Sequence, residues 1–357
     1  MKLAQFDYHL PKDQIAQRPV EPRDQSKLLV LYRHSDGLEH KHFYDLPEVL
    51  RPSDVLIRNN SKVMTARLFC QKTTGGLVEL LLIKAIESAE KEEVWEVLSK
   101  PSLKVGQVVT FKNSSLNAQC VALTGYTRQM KFNQSRVELM KSIEQVGKIP
   151  IPPYIHWEGE EEKVRDVYQT TYAKILGSVA APTAGLHFTP ELDEKIKTKG
   201  IAIEEVTLHV GLGTFLPVKT EEVTEHHMHK EWYELSQETA DRLNQYKKEG
   251  RRIVAVGTTT VRTLETLTNE SGELKAGVGE TQIFIYPPYK FRFVDALITN
   301  FHLPKSTLLM LISALVSQPN TQYEFENFET SSAGKAYQAA VQEKYRFFSF
   351  GDAMLIQ

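Results

Sequence analysis

Three prolines within four residues, Pro150, Pro152 and Pro153, exclude a helix or a central strand, so the chain must run extended from Pro150 to Tyr154. The sequence differs in texture on the two sides. From about Val55 to Thr124, short β-type runs (Val55–Ile57, Leu77–Ile83, Val94–Leu98, Val108–Phe111, Ala118–Leu123) are broken by Gly75-Gly76, Pro101, Gly106 and Asn113-Ser114-Ser115. This spacing predicts a small antiparallel barrel or sandwich. Ser135 and Glu138 form a capping box ahead of Leu139, Met140, Ile143 and Val146 on one helical face, with Gly147 as the stop. One helix is expected to close the module.

Beyond the prolines, helices and strands interleave. The pattern predicts a strand at Ile201–Val210, a helix from Ser236 through Tyr246, a strand at Ile253–Val256 and a helix after Gly257. Strands at Ile283–Tyr286 and Val294–Thr299 and a core helix at Thr307–Val316 follow. Such alternation indicates a large mixed α/β domain. The segment before Val55 is assigned to it too. The expected organisation is therefore α+β and multidomain: a large domain of residues 1–55 plus 150–357, and an inserted small antiparallel β-barrel at 56–149.

Composition narrows the function. Lys plus Arg number 43 against 45 Asp plus Glu, a formal charge of -2, so an anionic partner must be met by a local basic patch. Cys70 and Cys120 are too few for a disulfide scaffold or a four-thiolate zinc site, which fits a reducing cytoplasm. No apolar run approaches the roughly 18 residues of a membrane span. Absence of heptads makes a monomer the expectation.

Six of the 11 histidines lie between His187 and His302, each beside glycine, proline, threonine or another histidine. His226-His227-Met228-His229 has imidazoles suited to a metal, yet neighbours on a strand face opposite sides and no carboxylate stands in ligand register, so no metal is expected. Acid/base or hydrogen-bonding work, or a plain surface cluster, are the other readings. Gly211 and Gly213 resemble the start of a dinucleotide loop, but position 216 is Leu216 and Pro217 replaces a helix. They mark either a bend or a close backbone approach to a ligand. Gly257, Thr258 and Thr259 sit at a strand-to-helix turn, where free amides attract carboxylate or phosphate, or where a threonine merely caps. Thr183, Gly185 and His187, and Asn300 with His302, lie in turns flanked by the aromatics Phe188 and Phe301.

At these segments the chain resembles the S-adenosylmethionine:tRNA ribosyltransferase-isomerases of queuosine biosynthesis. The matching blocks include Arg23-Asp24, Asn59-Asn60, Ala66-Arg67-Leu68, Pro152-Pro153-Tyr154-Ile155, Tyr168-Gln169-Thr170 and Ala180 to Phe188. They continue through Leu208 to Phe215, His226 with Met228-His229, Gly257-Thr258-Thr259 with Arg262, Thr299 to Pro304, and Phe350 to Met354. Departures from the family pattern are Lys27 and Lys62, where arginine is usual, Leu216 and Pro288.

The resemblance implies a large α/β domain with an inserted β-barrel, and an enzyme that moves the ribosyl part of S-adenosylmethionine onto 7-aminomethyl-7-deazaguanine at the tRNA wobble position. Adenine and methionine leave as epoxyqueuosine forms. The sulfonium acidifies the ribose C5′ protons, so a neutral base starts the reaction; an acid helps adenine depart, and the attacking amine must be neutral. On family-matching positions, His187, His209, His226 and His229 are the acid/base candidates, with Asp295 in addition. Gly257, Thr258 and Thr259 are assigned to the methionine carboxylate, Gly211 and Gly213 to close backbone contact, and Thr183, Gly185, Asn300 and His302 to the rest of the co-substrate. Arg58, Lys62 and Arg67, with Arg51, are the candidates for tRNA phosphates; Lys247, Lys248, Arg251 and Arg252 are a second cluster. Competing readings are an S-adenosylmethionine-dependent tRNA methyltransferase, a histidine metallohydrolase and a non-catalytic tRNA-binding protein.

Overall fold

The computed structural model describes residues 1–88, 92–157, 159–211, 213 and 218–357. Its strands, in chain order, begin with β1 (Lys27–Tyr32), β2 (Gly37–His42), β3 (Val55–Asn59) and β4 (Ser61–Val63). β5 (Arg67–Lys72), β6 (Leu77–Ser88), β7 (Glu93–Lys100), β8 (Val108–Thr110), β9 (Asn117–Thr124) and β10 (Thr127–Phe132) follow. After the proline crossing come β11 (Ile175–Ser178), β12 (Ala202–Leu208), β13 (Glu231–Leu235), β14 (Ile253–Val256), β15 (Gly277–Thr281), β16 (Ala296–Asn300) and β17 (Ala353–Ile356).

β5 to β10 close into an antiparallel barrel. Alternation drives it: Leu68, Cys70, Val78, Leu80, Leu82, Trp95 and Val97 point inward, and neighbours such as Phe69 and Leu77 are exposed. The helix Arg136–Val146, capped by Ser135 as expected, adds Leu139 and Ile143 to the barrel core.

The large sheet runs β15-β13-β12-β3-β14-β16-β17-β1-β2. β12, β3, β14 and β16 are parallel. β3, β14 and β16 are buried throughout, because helices cover both faces. Leu192 and Ile196 of the helix Pro190–Thr198 pack on one face with Leu56, Val254 and Ile298. Helices Gln237–Lys248, Thr258–Leu267, Thr307–Leu315 and Ser332–Gln342 pack on the other.

Two expectations are corrected. Val55–Ile57 belongs to β3 in the middle of the large sheet, so the barrel begins at Arg67 and not at residue 56. A short, wholly apolar run fits a parallel core strand as well as a barrel strand, and only its long-range partners distinguish the two. Ile283–Tyr286 is not a strand. The neighbouring strand is β15, and the chain after it is held by the buried carboxylate of Glu265, whose Oε1 accepts from the Phe293 and Val294 amides at 3.1 Å and whose Oε2 accepts from the Arg292 amide at 3.0 Å and the Tyr289 hydroxyl at 3.1 Å. This one side chain replaces a ladder and aims the chain into β16. Glu265→Ala orphans three amides and is expected to cost about 3–5 kcal/mol in urea unfolding, with Glu265→Gln costing less.

Candidate active site

Because β3, β12, β14 and β16 run parallel, their carboxyl ends share one edge of the sheet. β17 runs antiparallel to β16, and β1 parallel to β17, so the amino ends of β1 and β17 reach the same edge. Ligands in open α/β sheets bind beyond such carboxyl ends. A cleft of about 60 Å³ lies there, lined among others by Thr183, Val210, Gly257, Thr258, Asn300 and His302.

Gly257 links β14 to the helix Thr258–Leu267 at φ +86, a conformation L side chains rarely adopt, and its amide donates to the Ile298 carbonyl at 2.8 Å. The first turn of that helix presents backbone N–H groups and the positive end of its dipole to the cleft. Thr259 Oγ1 accepts from Asn59 Nδ2 at 3.3 Å, and Thr260 Oγ1 donates back to the Val256 carbonyl at 2.7 Å.

Three imidazoles at this edge each meet a hydroxyl. His187 Nδ1 lies 2.7 Å from Ser26 Oγ, His209 Nδ1 lies 2.8 Å from Ser61 Oγ, and His302 Nε2 lies 2.9 Å from Thr299 Oγ1. Burial pulls all three below the ordinary imidazole range, to about 3 for His187 and His302 and about 4 for His209; the Arg346 and Arg23 guanidinium groups add to the effect at His187. All are neutral at pH 7. Phe43 stacks on His187 at 4.9 Å and Trp232 on His209 at 4.7 Å, so both rings are fixed in plane.

A second concavity, a groove of about 550 Å³, runs between the outer face of the barrel and the large domain. Arg67, Leu81 and Tyr126 form its barrel wall; Pro152, Gly211 and His229 face them. Val210 lines the cleft and Gly211 the groove, so consecutive residues of one segment serve the two spaces.

The expected site residues thus divide. Thr183, Gly257, Thr258, Thr259, Asn300 and His302 gather at the cleft; Arg67, Gly211, Gly213 and His229 gather at the groove. His226 stands apart, edge-on to Phe284 at 5.4 Å, with burial and the neighbouring His229 and His227 lowering its pKa. Gly185 and Gly213 are explained by packing: an added Cβ would stand 2.0 Å from the Tyr172 hydroxyl and 2.5 Å from His229 Cδ2 respectively. Leu212 and Thr214 to Pro217, including the departure at Leu216, lie outside the described residues.

Asp295 precedes β16 at the opposite edge of the sheet, bound by Lys247 Nζ at 2.7 and 2.8 Å and by the Ile253 amide at 2.8 Å. It is remote from the cleft and structural. Arg58 is also misread by sequence. As part of the buried β3 it bonds both Asp193 oxygens at 2.9 and 2.7 Å, lies 3.6 Å from Glu205, and sits 3.7 Å over the Tyr172 ring, out of reach of any phosphate. Lys62 is exposed, and Arg67 pairs with Glu79 at 2.7 Å while remaining partly exposed. In the second basic cluster Lys247 is paired with Asp295 and Arg252 with Asp54, Arg251 donates to the Ser53 and Asp54 carbonyls, and Lys248 is exposed. Sequence reading holds Ser26 only within a family-matching block, Ser26 to Leu29, and gives neither it nor Ser61 a place in the site; their imidazole partners lie 161 and 148 positions away, and no local pattern signals such pairs. Among the described residues, no group of three His, Cys, Asp or Glu side chains is arranged to hold a metal ion.

A family model described as "Queuosine biosynthesis protein" matches residues 3–356. The chain belongs to that family. Its relatives include proteins named S-adenosylmethionine:tRNA ribosyltransferase-isomerase from Symbiobacterium thermophilum, 49% identical, and Desulforamulus reducens, 47% identical, each covering 100% of both chains. A solved structure of S-adenosylmethionine tRNA ribosyltransferase from Thermotoga maritima is 39% identical, covers 99% of this chain and 100% of that one, and superposes with a TM-score of 0.54. This member of the queuosine biosynthesis family is accordingly an enzyme, a transferase-isomerase built on a mixed α/β domain with a closed β-barrel. No helix among its described residues is long and apolar enough to cross a membrane.

Two outcomes follow from the site geometry. Arg58→Met leaves Asp193 buried without its partner and is expected to cost about 3 kcal/mol in denaturant unfolding, while the salt dependence of RNA binding stays at its wild-type slope. Because His187, His209 and His302 are neutral when folded but protonate near pH 6.5 when unfolded, the unfolded chain binds more protons below that pH. Stability is complete above pH 6.5 and falls as pH drops toward about 3. Replacing His302 with Asn is expected to flatten that fall, measured by urea unfolding across the pH range.

Proposed function

We propose that this enzyme transfers and isomerises the ribosyl moiety of S-adenosylmethionine onto 7-aminomethyl-7-deazaguanine at the wobble position of tRNA, giving epoxyqueuosine tRNA, adenine and methionine. The observation that carries the reading is full-length membership of the queuosine family joined to a cleft at the carboxyl ends of the parallel strands and a larger groove beside the barrel. At about 60 Å³ the cleft alone is smaller than the ~300 Å³ of a typical small-molecule pocket. The groove offers further room and the path for a macromolecular substrate.

In this reading the methionine carboxylate meets the first turn of the helix Thr258–Leu267, where backbone amides and dipole favour an anion. Neutral imidazoles suit the sulfonium, since a cationic residue would repel it. His302 borders the cleft and His209 rests on Ser61. Burial keeps both neutral and makes them weak bases, so in this reading they hold the co-substrate as uncharged hydrogen-bonding groups, and a role as base requires bound substrate to raise their proton affinity. His229, in the groove, is placed for the amine that must attack in its neutral form. His187, bonded at both ring nitrogens, serves better as a support than as an acid or base. The tRNA enters along the groove past Arg67 and Lys62, and exposed Phe69, flanked by Arg67 at 5.3 Å and Lys148 at 5.8 Å, offers a ring beside two cations for the RNA backbone. A monomer in the cytoplasm is the state proposed; both cysteines are free, and burial pushes the Cys70 thiol up to about 12. No metal takes part in the scheme, because the sulfonium provides the activation.

The test is incubation of the protein with S-adenosylmethionine and an anticodon stem-loop carrying the aminomethyl-deazaguanine base, followed by chromatography and mass spectrometry. Adenine, methionine and a ribosyl-derived mass gain on the RNA are expected. S-adenosylhomocysteine with a methyl-sized gain would instead make the protein a methyltransferase.

A further inference from the structure

Arg262 stands in the second turn of the helix Thr258–Leu267 and is 5% exposed. Its Nη1 is hydrogen-bonded to Glu231 Oε2, whereas Nε and Nη2 are buried with no hydrogen-bond partner. Chemistry fixes the direction of any bond these nitrogens make, because a guanidinium stays protonated, donates at every nitrogen and accepts at none. The open Nε–Nη2 edge is therefore a fork of N–H donors, with the spacing that two oxygens of a carboxylate or phosphate fill together. Arg58, the other buried arginine among the described residues, is met by both Asp193 and Glu205 and leaves only Nε open. Among the same residues Arg262 meets one carboxylate. Charged donors buried without a partner are a cost that native structures seldom carry without a use.

The fork is bracketed by the wall of the cleft. Side chains lean toward the amino end of their helix, and residues three and four apart share a face, so Arg262 is carried back toward Thr259 and Thr258, which line the cleft. From the other side, Glu231 Oε1 accepts from the Gly211 amide at 2.9 Å, and Gly211 follows Val210, another cleft residue. Arg262 thus brings to the helix terminus a full charge that the backbone amides lack.

We propose that Nε and Nη2 of Arg262 bind the carboxylate of the amino-acid end of S-adenosylmethionine, jointly with the first-turn amides of the helix, and that Glu231 is the positioning residue that holds the guanidinium. The inference deepens the reading of S-adenosylmethionine as substrate and rests on it. Access favours a carboxylate over an RNA phosphate: a guanidinium 5% exposed, behind a cleft of about 60 Å³, is reached by the free end of a small molecule and not by a phosphodiester flanked by nucleotides. The sulfonium is accommodated too. Cα, Cβ and Cγ of the methionine part separate the carboxylate from the sulfur, so the cation holds the anionic end while the sulfur stays among neutral groups, and Glu231 offsets the field of Arg262 at longer range.

Calorimetric binding of S-adenosylhomocysteine and of its decarboxylated analogue, which keeps the amine and lacks the carboxylate, tests this on the wild-type protein and on Arg262→Lys. Lysine keeps a positive charge against Glu231 and loses the fork. The wild-type protein is expected to prefer the carboxylate compound by about a hundredfold, and Arg262→Lys to reduce that preference to about tenfold or less while binding the decarboxylated compound as the wild type does. Equal wild-type affinities for the two compounds overturn the inference and leave the substrate reading intact. A preference that Arg262→Lys leaves unchanged assigns the carboxylate to the helix amides alone, and a weakening of both compounds alike makes Arg262 a structural partner of Glu231; either result overturns it. Failure of the wild-type protein to bind S-adenosylhomocysteine at all removes the substrate reading and this inference together. Should Arg262→Lys fail to fold by circular dichroism, solid-state NMR of the wild-type complex decides, with isotope-labelled carboxyl carbon in S-adenosylhomocysteine and labelled guanidinium nitrogens in the protein. A dipolar contact between the two labels is expected, and its absence overturns the inference.

Discussion

The carboxamide of Asn59 holds the functional edge together. Its Oδ1 accepts from the Leu208 amide at 3.0 Å and the Ser61 amide at 3.1 Å; its Nδ2 donates to the Leu208 carbonyl at 2.9 Å and to Thr259 Oγ1 at 3.3 Å. All four hydrogen-bonding positions of the amide are used, in a buried location where each unmade bond is costly. The four bonds tie the end of β3 to the exit of β12, the start of β4 and the first turn of the helix Thr258–Leu267. His209 follows Leu208, and its imidazole rests on Ser61, so the position of that ring depends on the same amide. Neither aspartate, with no donor, nor leucine, with neither donor nor acceptor, can reproduce the set.

The two edges of the sheet solve opposite electrostatic problems. At the amino ends of the parallel strands, charge is matched by charge: Asp54 with Arg252 and Asp295 with Lys247. At the carboxyl ends the cleft itself is lined by uncharged polar groups, namely hydroxyls, amides and a neutral imidazole, while the Arg58–Asp193 pair stays buried beneath that edge. A buried Arg262–Glu231 pair lies behind this edge, where Glu231 Oε1 also accepts from the Gly211 amide at 2.9 Å. A site built from neutral dipoles admits a cationic sulfonium without a fixed counter-charge that would bind ground state and transition state alike.

Much of this organisation is legible in the sequence, and the parts that are not share a physical cause. The barrel declares itself by alternation between turns, and the helix Arg136–Val146 by its capping box, because both signals are local. The histidine-rich segments and the turn at Gly257 are likewise visible, since glycine and threonine at a strand-to-helix junction have few other uses. What escapes is pairing at a distance. Val55–Asn59 carries no mark of which sheet it enters, Arg58 shows no sign of Asp193, and Asp295 reads as a candidate acid until the strand direction puts it at the wrong edge. His187 stands in a segment that looks catalytic, yet Ser26 and Asn300 occupy both its nitrogens, which only the folded arrangement reveals.

β17 lies between β16 and β1, and β1 in turn pairs with β2, so the hairpin of β1 and β2 joins the large sheet by way of β17. The Lys27 amide donates to Asp352 Oδ1 at 3.0 Å across 325 positions of sequence. Closing so wide a loop adds modest entropy but a long search, the mark of slow-forming topology. Ser26, at the mouth of β1, is brought beside His187 by the same pairing. The seat of His187 therefore depends on the register between β1 and β17, two strands far from it in sequence.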